Sequence, residues 1–140
     1  MKKLRPAWRN YLLELTAFVL FGIIYMAVPE DDGAKGFLGA VALLFLLVPV
    51  YQRFSNKYEF DAKKVEAHKG IIARKLNTIR LKDLRSVNLK QGIIQRLLNT
   101  GNLEFSSAGG GGVEVTYKGI VSPKKVKDEI EDLRETVLEN

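Results

Sequence analysis

The chain contains no cysteine, which excludes a disulfide framework and any thiolate-held zinc or iron–sulfur centre. Histidine occurs once, at His68, so a multi-histidine metal site cannot form within one chain. Ser106 and Ser107 lack the small-residue frame of a nucleophile elbow. The four glycines at 109–112 are not followed by Gly-Lys-Ser/Thr, and they lead toward a strand pattern rather than a helix, so they do not make a phosphate loop. No paired-carboxylate motif is present either. The chain is therefore read as a non-enzyme, with no catalytic residue, no cofactor and no metal site. Acidic residues are also short: 16 Asp or Glu stand against 22 Lys or Arg, a net charge of +6 and a pI of about 9.5. That balance favours an anionic partner, nucleic acid or a phospholipid surface.

Charge is nearly absent from two long runs. Residues 11–28, "YLLELTAFVLFGIIYMAV", hold a single charge, Glu14, and residues 36–51, "GFLGAVALLFLLVPVY", hold none. At ~1.5 Å per residue the first run spans roughly 27 Å, close to a bilayer core of about 30 Å. A soluble helix keeps a polar stripe, and neither run has one. Two transmembrane helices are expected, at about 10–28 and 34–52. The first run is long for a signal peptide and no A-x-A site follows it, so cleavage is not expected. Lys2, Lys3, Arg5 and Arg9 precede the first run, three acids and one lysine lie in the connector "PEDDGAK", and Arg53 and Lys57 follow the second run. The positive-inside rule then puts both termini in the cytoplasm. Trp8, Tyr11, Tyr25 and Tyr51 mark the span ends. Gly36, Gly39, Ala40 and Ala42 facing Ala17 and Gly22 allow close helix approach. Glu14, in the first turn of its span, is expected to pair with Arg53 across the hairpin, or with Arg9.

From Lys57 the apolar period changes to two. "KYEFD", residues 65–69, "IIARK", "TIRLK", "RSVNLKQ", "NLEFSSA" and "VEVTYKG" predict seven short antiparallel strands, mostly with one buried face. A final helix follows. Ser122 is placed to cap it, Pro123 suits its first position, and Val126, Ile130, Leu133 and Val137 form one stripe. The positive charge lies on the strands: residues 57–118 hold twelve Lys or Arg against six Asp or Glu. Arg74, Lys75, Arg80, Lys82, Arg85, Lys90 and Arg96 form the candidate surface for an anionic membrane or an acidic partner. Within this strand region "GIIQRLLNTG" breaks the pattern. It predicts a short helix over about 92–99, with Ile93, Ile94, Leu97 and Leu98 on one arc of about 140°. So short a helix is not stable alone. The reading preferred from sequence puts its apolar face in the open end of the barrel. The other puts it at the membrane interface, with Arg96 reaching phosphates.

Four stretches carry a family resemblance: Gly70-Ile-Ile-x-Arg74; Ile79-x-Leu81 leading to Val87; Gln91-Gly-Ile-Ile-x-Arg-Leu-Leu; and Gly101 before Leu103 and Phe105. With the Pro-initiated last helix, they resemble the bacterial pleckstrin-homology-like (PH) domains found on small two-helix membrane proteins. The resemblance implies an α+β, mainly β, domain of about seven antiparallel strands closed by a C-terminal helix. Residues 1–53 would form the transmembrane hairpin, and residues 54–140 the cytoplasmic PH-like domain, in a bacterial cytoplasmic (inner) membrane. Lipid-binding relatives of that fold use basic residues around the first hairpin; here that hairpin is taken to be "DAKK", with Lys63 and Lys64. The function implied is membrane-anchored binding or scaffolding toward anionic phospholipid headgroups or protein subunits, a second copy of the chain or another membrane protein among them. The alternative is an accessory or pore-forming subunit of a transport assembly, resting on Glu14. Nucleic acid is not expected, because the basic stretch has no base-stacking aromatic motif.

Overall fold

The protein was analysed as a computed structural model that describes residues 1–29, 33–71 and 74–139. The acids of the connector, Glu30, Asp31 and Asp32, and Ile72 and Ala73 of "IIARK" lie outside the described residues.

Each apolar run becomes a helix. The first opens with a 3-10 turn at Trp8–Tyr11 and continues as α1, Leu12–Ala27; the second forms α2, Ala34–Ser55. The pair packs through Phe21 and Phe45, stacked at 5.5 Å, and through Gly39, where a Cβ would lie 3.2 Å from the Tyr25 ring. A Cβ at Gly22 or Gly36 would meet nothing within 4 Å, so the close approach is narrower than the run of small residues implied. The Lys35 ammonium lies 5.3 Å from the Tyr25 ring centroid. Beyond this seam both helices are bare: only 6% and 11% of their most apolar windows is buried. Soluble helices hide their apolar stripe, whereas these expose Val19, Leu20, Ile23, Leu43, Leu44 and Leu47. They are long and apolar enough to cross a membrane, which points to membrane association.

The remaining elements form two antiparallel sheets. β1 is Lys2–Leu4, β2 Asn56–Phe60, β3 Lys64–Lys69 and β4 Lys75–Arg80, in the order β1-β2-β3-β4. β5 is Leu84–Lys90, β6 Thr100–Ser107 and β7 Val115–Val121, in the order β5-β6-β7. A short helix, α3, Ile93–Leu97, links β5 to β6, and α4, Pro123–Glu139, ends the fold.

Seven strands are present among the described residues, as expected, but they are not the seven expected. "TIRLK" joins with Lys75 of "IIARK" into the one strand β4. The additional strand is β1, which lies before the helices and pairs with β2 in the register Lys2↔Phe60, Lys3↔Glu59 and Leu4↔Tyr58. The hairpin α1–α2 is therefore the connection between β1 and β2. α2 runs into β2 without a loop, and the Asn56 side chain donates to the Gln52 carbonyl at 2.7 Å. Lys2–Leu4, grouped by sequence with the membrane unit, thus contribute to the sheet.

The alternating residues supply the core. Tyr58, Phe60, Val65, Ala67 and Ile79 come from the first sheet, Val87, Leu103, Phe105, Val115 and Tyr117 from the second, and Val126 and Ile130 from α4. Tyr117 stacks on Tyr58 at 4.7 Å and meets Phe105 edge-on at 4.8 Å. Its hydroxyl then reaches across to the first sheet, donating to the Glu59 carbonyl at 2.6 Å and accepting from the Glu66 N–H at 3.2 Å. Burial pushes the Tyr58 phenol up to about 12 and Tyr117 further still, so both remain neutral. Pro123 opens α4 as predicted, while the Ser122 hydroxyl accepts from the Asn99 side chain at 2.9 Å.

Candidate functional site

The end of the domain from which α1 and α2 emerge is built from the tips of several strands. β3 ends there at Lys69 and β4 begins there at Lys75. The antiparallel register sets these two lysines opposite one another across the strands, and sets Lys57 of β2 opposite His68. Like charges in facing positions destabilise a ladder. Gly70, just past β3, turns back on the helix: its N–H donates to the Ser55 carbonyl at 3.0 Å, with Gly70 at φ +91°, where a side chain would be strained. The result is a groove of about 360 Å³ lined by Phe54, Lys57, His68, Lys69, Arg74 and Lys75. Among the described residues no acid pairs with Lys57, Lys69, Arg74 or Lys75. Burial holds the Lys69 ammonium below its usual range, and the nearby charges of Lys118 and Lys75 add to the effect.

A second groove, of about 450 Å³, flanks the same end and is lined by Lys3, Arg5, Arg53 and Lys57 together with Tyr58 and Glu59. Arg53 has partners here that the sequence did not suggest. Its guanidinium donates to the Pro6 carbonyl and lies 4.8 Å from the Trp8 ring centroid. Among the described residues no ion pair joins it to Glu14. A main-chain acceptor and an aromatic face occupy it, and neither could be foreseen from charge alone.

The seven candidate cations divide. Arg74 and Lys75 belong to the rim just described. Arg96 sits on α3, whose Gln95 amide donates to Asn10 at the start of the first helix, 3.0 Å away. Lys90 is paired with Glu104 at 2.9 Å. Arg80 and Lys82 lie elsewhere, with Lys63 and Lys64 around a groove of about 650 Å³ beside Thr136 and Val137. Arg85 follows on β5, exposed. "DAKK" belongs to that second group. It joins β2 to β3, with the Asp61 carboxylate accepting from the Lys63 and Lys64 amides at 2.8 and 3.0 Å. Those amide hydrogen bonds hold Asp61 below the usual carboxylate range. It is not the first hairpin, because β1 precedes it.

α3 forms where the sequence put it, but it does not fill the barrel. Ile93 is 85% exposed, Leu97 83% and Ile94 51%. The aromatic stack and α4 already occupy the interior, so the end-plugging reading is overturned; Leu98 alone of the four is shielded.

One further cluster joins facing acids. Glu59 and Glu66 are cross-strand partners, and with His68 they bring ligand atoms within 4.8 Å of one another. Lys64 holds Glu66 at 2.8 Å, Thr78 donates to it at 3.1 Å, and Lys3 stands 3.9 Å from Glu59. The acids are thus already neutralised by ammonium groups. The Lys64 hydrogen bond, above all, keeps Glu66 below its usual range.

Against known proteins, the family model described as "Bacterial PH domain" matches residues 11–137. The chain belongs to the bacterial PH domain family. The match takes in α1, α2, β2 to β7, α3 and nearly all of α4, and leaves out β1 and most of the opening 3-10 turn. No curated protein and no solved structure matches the chain significantly. Membership suggests a binding or scaffolding role.

Sequence reasoning missed Lys57 and Lys69 as members of the rim of this bacterial PH domain. The pairing of Lys69 with Lys75 was accessible only from the β3–β4 register, which the sequence left open around Gly70.

Proposed function

We propose that this bacterial PH domain protein is held by α1 and α2 in the cytoplasmic membrane, with both termini in the cytoplasm, and binds anionic phospholipid headgroups at the rim where the helices leave the domain. The observation that carries this reading is the facing pair Lys69 and Lys75, with Arg74 and Lys57 beside it and, among the described residues, no acid paired with them. A phosphate between such groups removes their repulsion. Two apolar helices ending at the same rim would hold it at headgroup depth. Each surface-proximal Lys or Arg contributes about 1 kcal/mol at an anionic leaflet. Tethering makes even weak contacts effective, because the headgroups are present at high local concentration. In this reading the role is non-enzymatic, in keeping with a family whose membership suggests binding or scaffolding.

Native mass spectrometry of the full chain released from bilayers of mixed zwitterionic and anionic lipid tests this. Wild type should retain anionic phospholipid. The triple variant Lys69→Ala, Arg74→Ala, Lys75→Ala should lose about 3 kcal/mol, roughly a hundredfold in retention. Equal retention by the two proteins would overturn the lipid reading and leave an acidic protein surface as the partner of the rim.

A further inference from the structure

We infer that α3 is an interfacial anchor that lays Ile93, Ile94 and Leu97 into the headgroup–acyl boundary of the leaflet at which the first helix begins. The inference rests on the membrane reading above and adds a second, independent contact to it.

Three observations converge. The apolar face is bare, with Ile93 85% and Leu97 83% exposed on adjacent turns. The helix is nonetheless held firmly. The Gly92 N–H donates to Gln95 Oε1 at 3.1 Å, and the Ser122 N–H donates to the Asn99 carbonyl at 2.9 Å. Asn99, in the left-handed region at φ +50°, donates in turn to the Ser122 hydroxyl. A fixed segment that faces its largest apolar groups outward is shaped for a partner that removes them from water. The last observation names that partner. Gln95 Nε2 donates to Asn10 Oδ1 at 3.0 Å, and Asn10 lies within the first candidate span, Trp8–Ala27. α3 is thereby fastened beside the opening turn of a helix that presents Leu12 and Leu13 to the same surroundings. The apolar surface of α3 continues that of the span. Arg96 supplies a cation at phosphate level, the arrangement of amphipathic segments that lie in a bilayer surface.

The absence of native cysteine permits single labels. Leu97→Cys, Leu44→Cys in α2 and Leu138→Cys near the end of α4 are each labelled with an environment-sensitive fluorophore in the full chain, reconstituted into bilayers. Nitroxide lipids labelled near the headgroup or deep in the acyl chain then quench by depth. The inference predicts quenching at position 97 by the shallow nitroxide, deeper quenching at 44, and none at 138. Quenching at 44 with none at 97 would overturn the anchor and leave the spans in place. Quenching at neither would overturn the membrane reading itself. A label at 97 shielded from aqueous iodide but untouched by either nitroxide would overturn the inference in favour of a second copy of the chain as the cover. Leu97 is largely exposed, so its replacement leaves the core intact.

Discussion

Tyr117 joins the two sheets, because it belongs to one sheet and bonds to the main chain of the other. Tyr117→Phe leaves the Glu59 carbonyl and the Glu66 N–H without their partner in a dry setting, and should cost about 1–3 kcal/mol, read as a lower melting temperature in detergent. Lys69 should behave in the opposite sense. Its charge is disfavoured by burial and by like neighbours, so Lys69→Met should raise the melting temperature while lowering anionic lipid retention. A residue kept only for stability would not separate the two readouts. Glu66 gives a pH signature. Its folded pKa lies below the free value of 4.5, so the Lys64–Glu66 pair adds stability that is complete above about pH 4.5 and is lost as pH falls through the folded value. Glu66→Gln should flatten the acid limb of a stability–pH curve; an unchanged limb would contradict that assignment.

Among the elements, those with a strong local period were legible and those made by distant pairing were not. The stripe Val126, Ile130 and Leu133 revealed α4, and the paired apolar residues of "GIIQRLL" revealed α3. The period fixed the existence of α3 but not the destination of its face, which depends on how full the core already is. β1 is three residues, "KKL", more than fifty positions from its partner, and carries no alternation long enough to read. The candidate site suffered likewise: its cations come from the N-terminal arm, the end of α2 and three strands, so a cluster in space is a scatter in sequence. The seam between helix and domain depends on Gly119. It lies at φ +61°, its carbonyl accepts from the Ala7 N–H at 2.7 Å, and a Cβ there would stand 2.7 Å from Asn10. Gly119→Ala should cost about 1–2 kcal/mol in backbone strain alone and displace Asn10 from Gln95. Gly112→Ala, in open space, should be silent in the same melting experiment.

On the scale of the whole molecule the helices are not an appendage in front of a domain but an insertion into its first hairpin. Lys2 closes the arrangement at the far side, bonded to Glu129 of α4 at 2.5 Å, so the N-terminal arm touches both the sheet and the last helix. Residues 54–140 alone would therefore lack an edge strand, and should melt below a chain in which a two-residue turn joins Leu4 directly to Tyr58 in place of the helices. Equal melting temperatures would show that β1 contributes nothing. In the proposed arrangement the insertion presses the cationic rim and α3 against the bilayer from two sides of the hairpin. Amide hydrogen exchange of the full chain in nanodiscs tests that claim most directly, comparing a purely zwitterionic bilayer with one rich in anionic lipid. The account predicts slower exchange at the β3–β4 connection, from Lys69 to Lys75, in the anionic bilayer only, with α3 protected in both. Identical exchange at Lys69 to Lys75 in the two bilayers would contradict it.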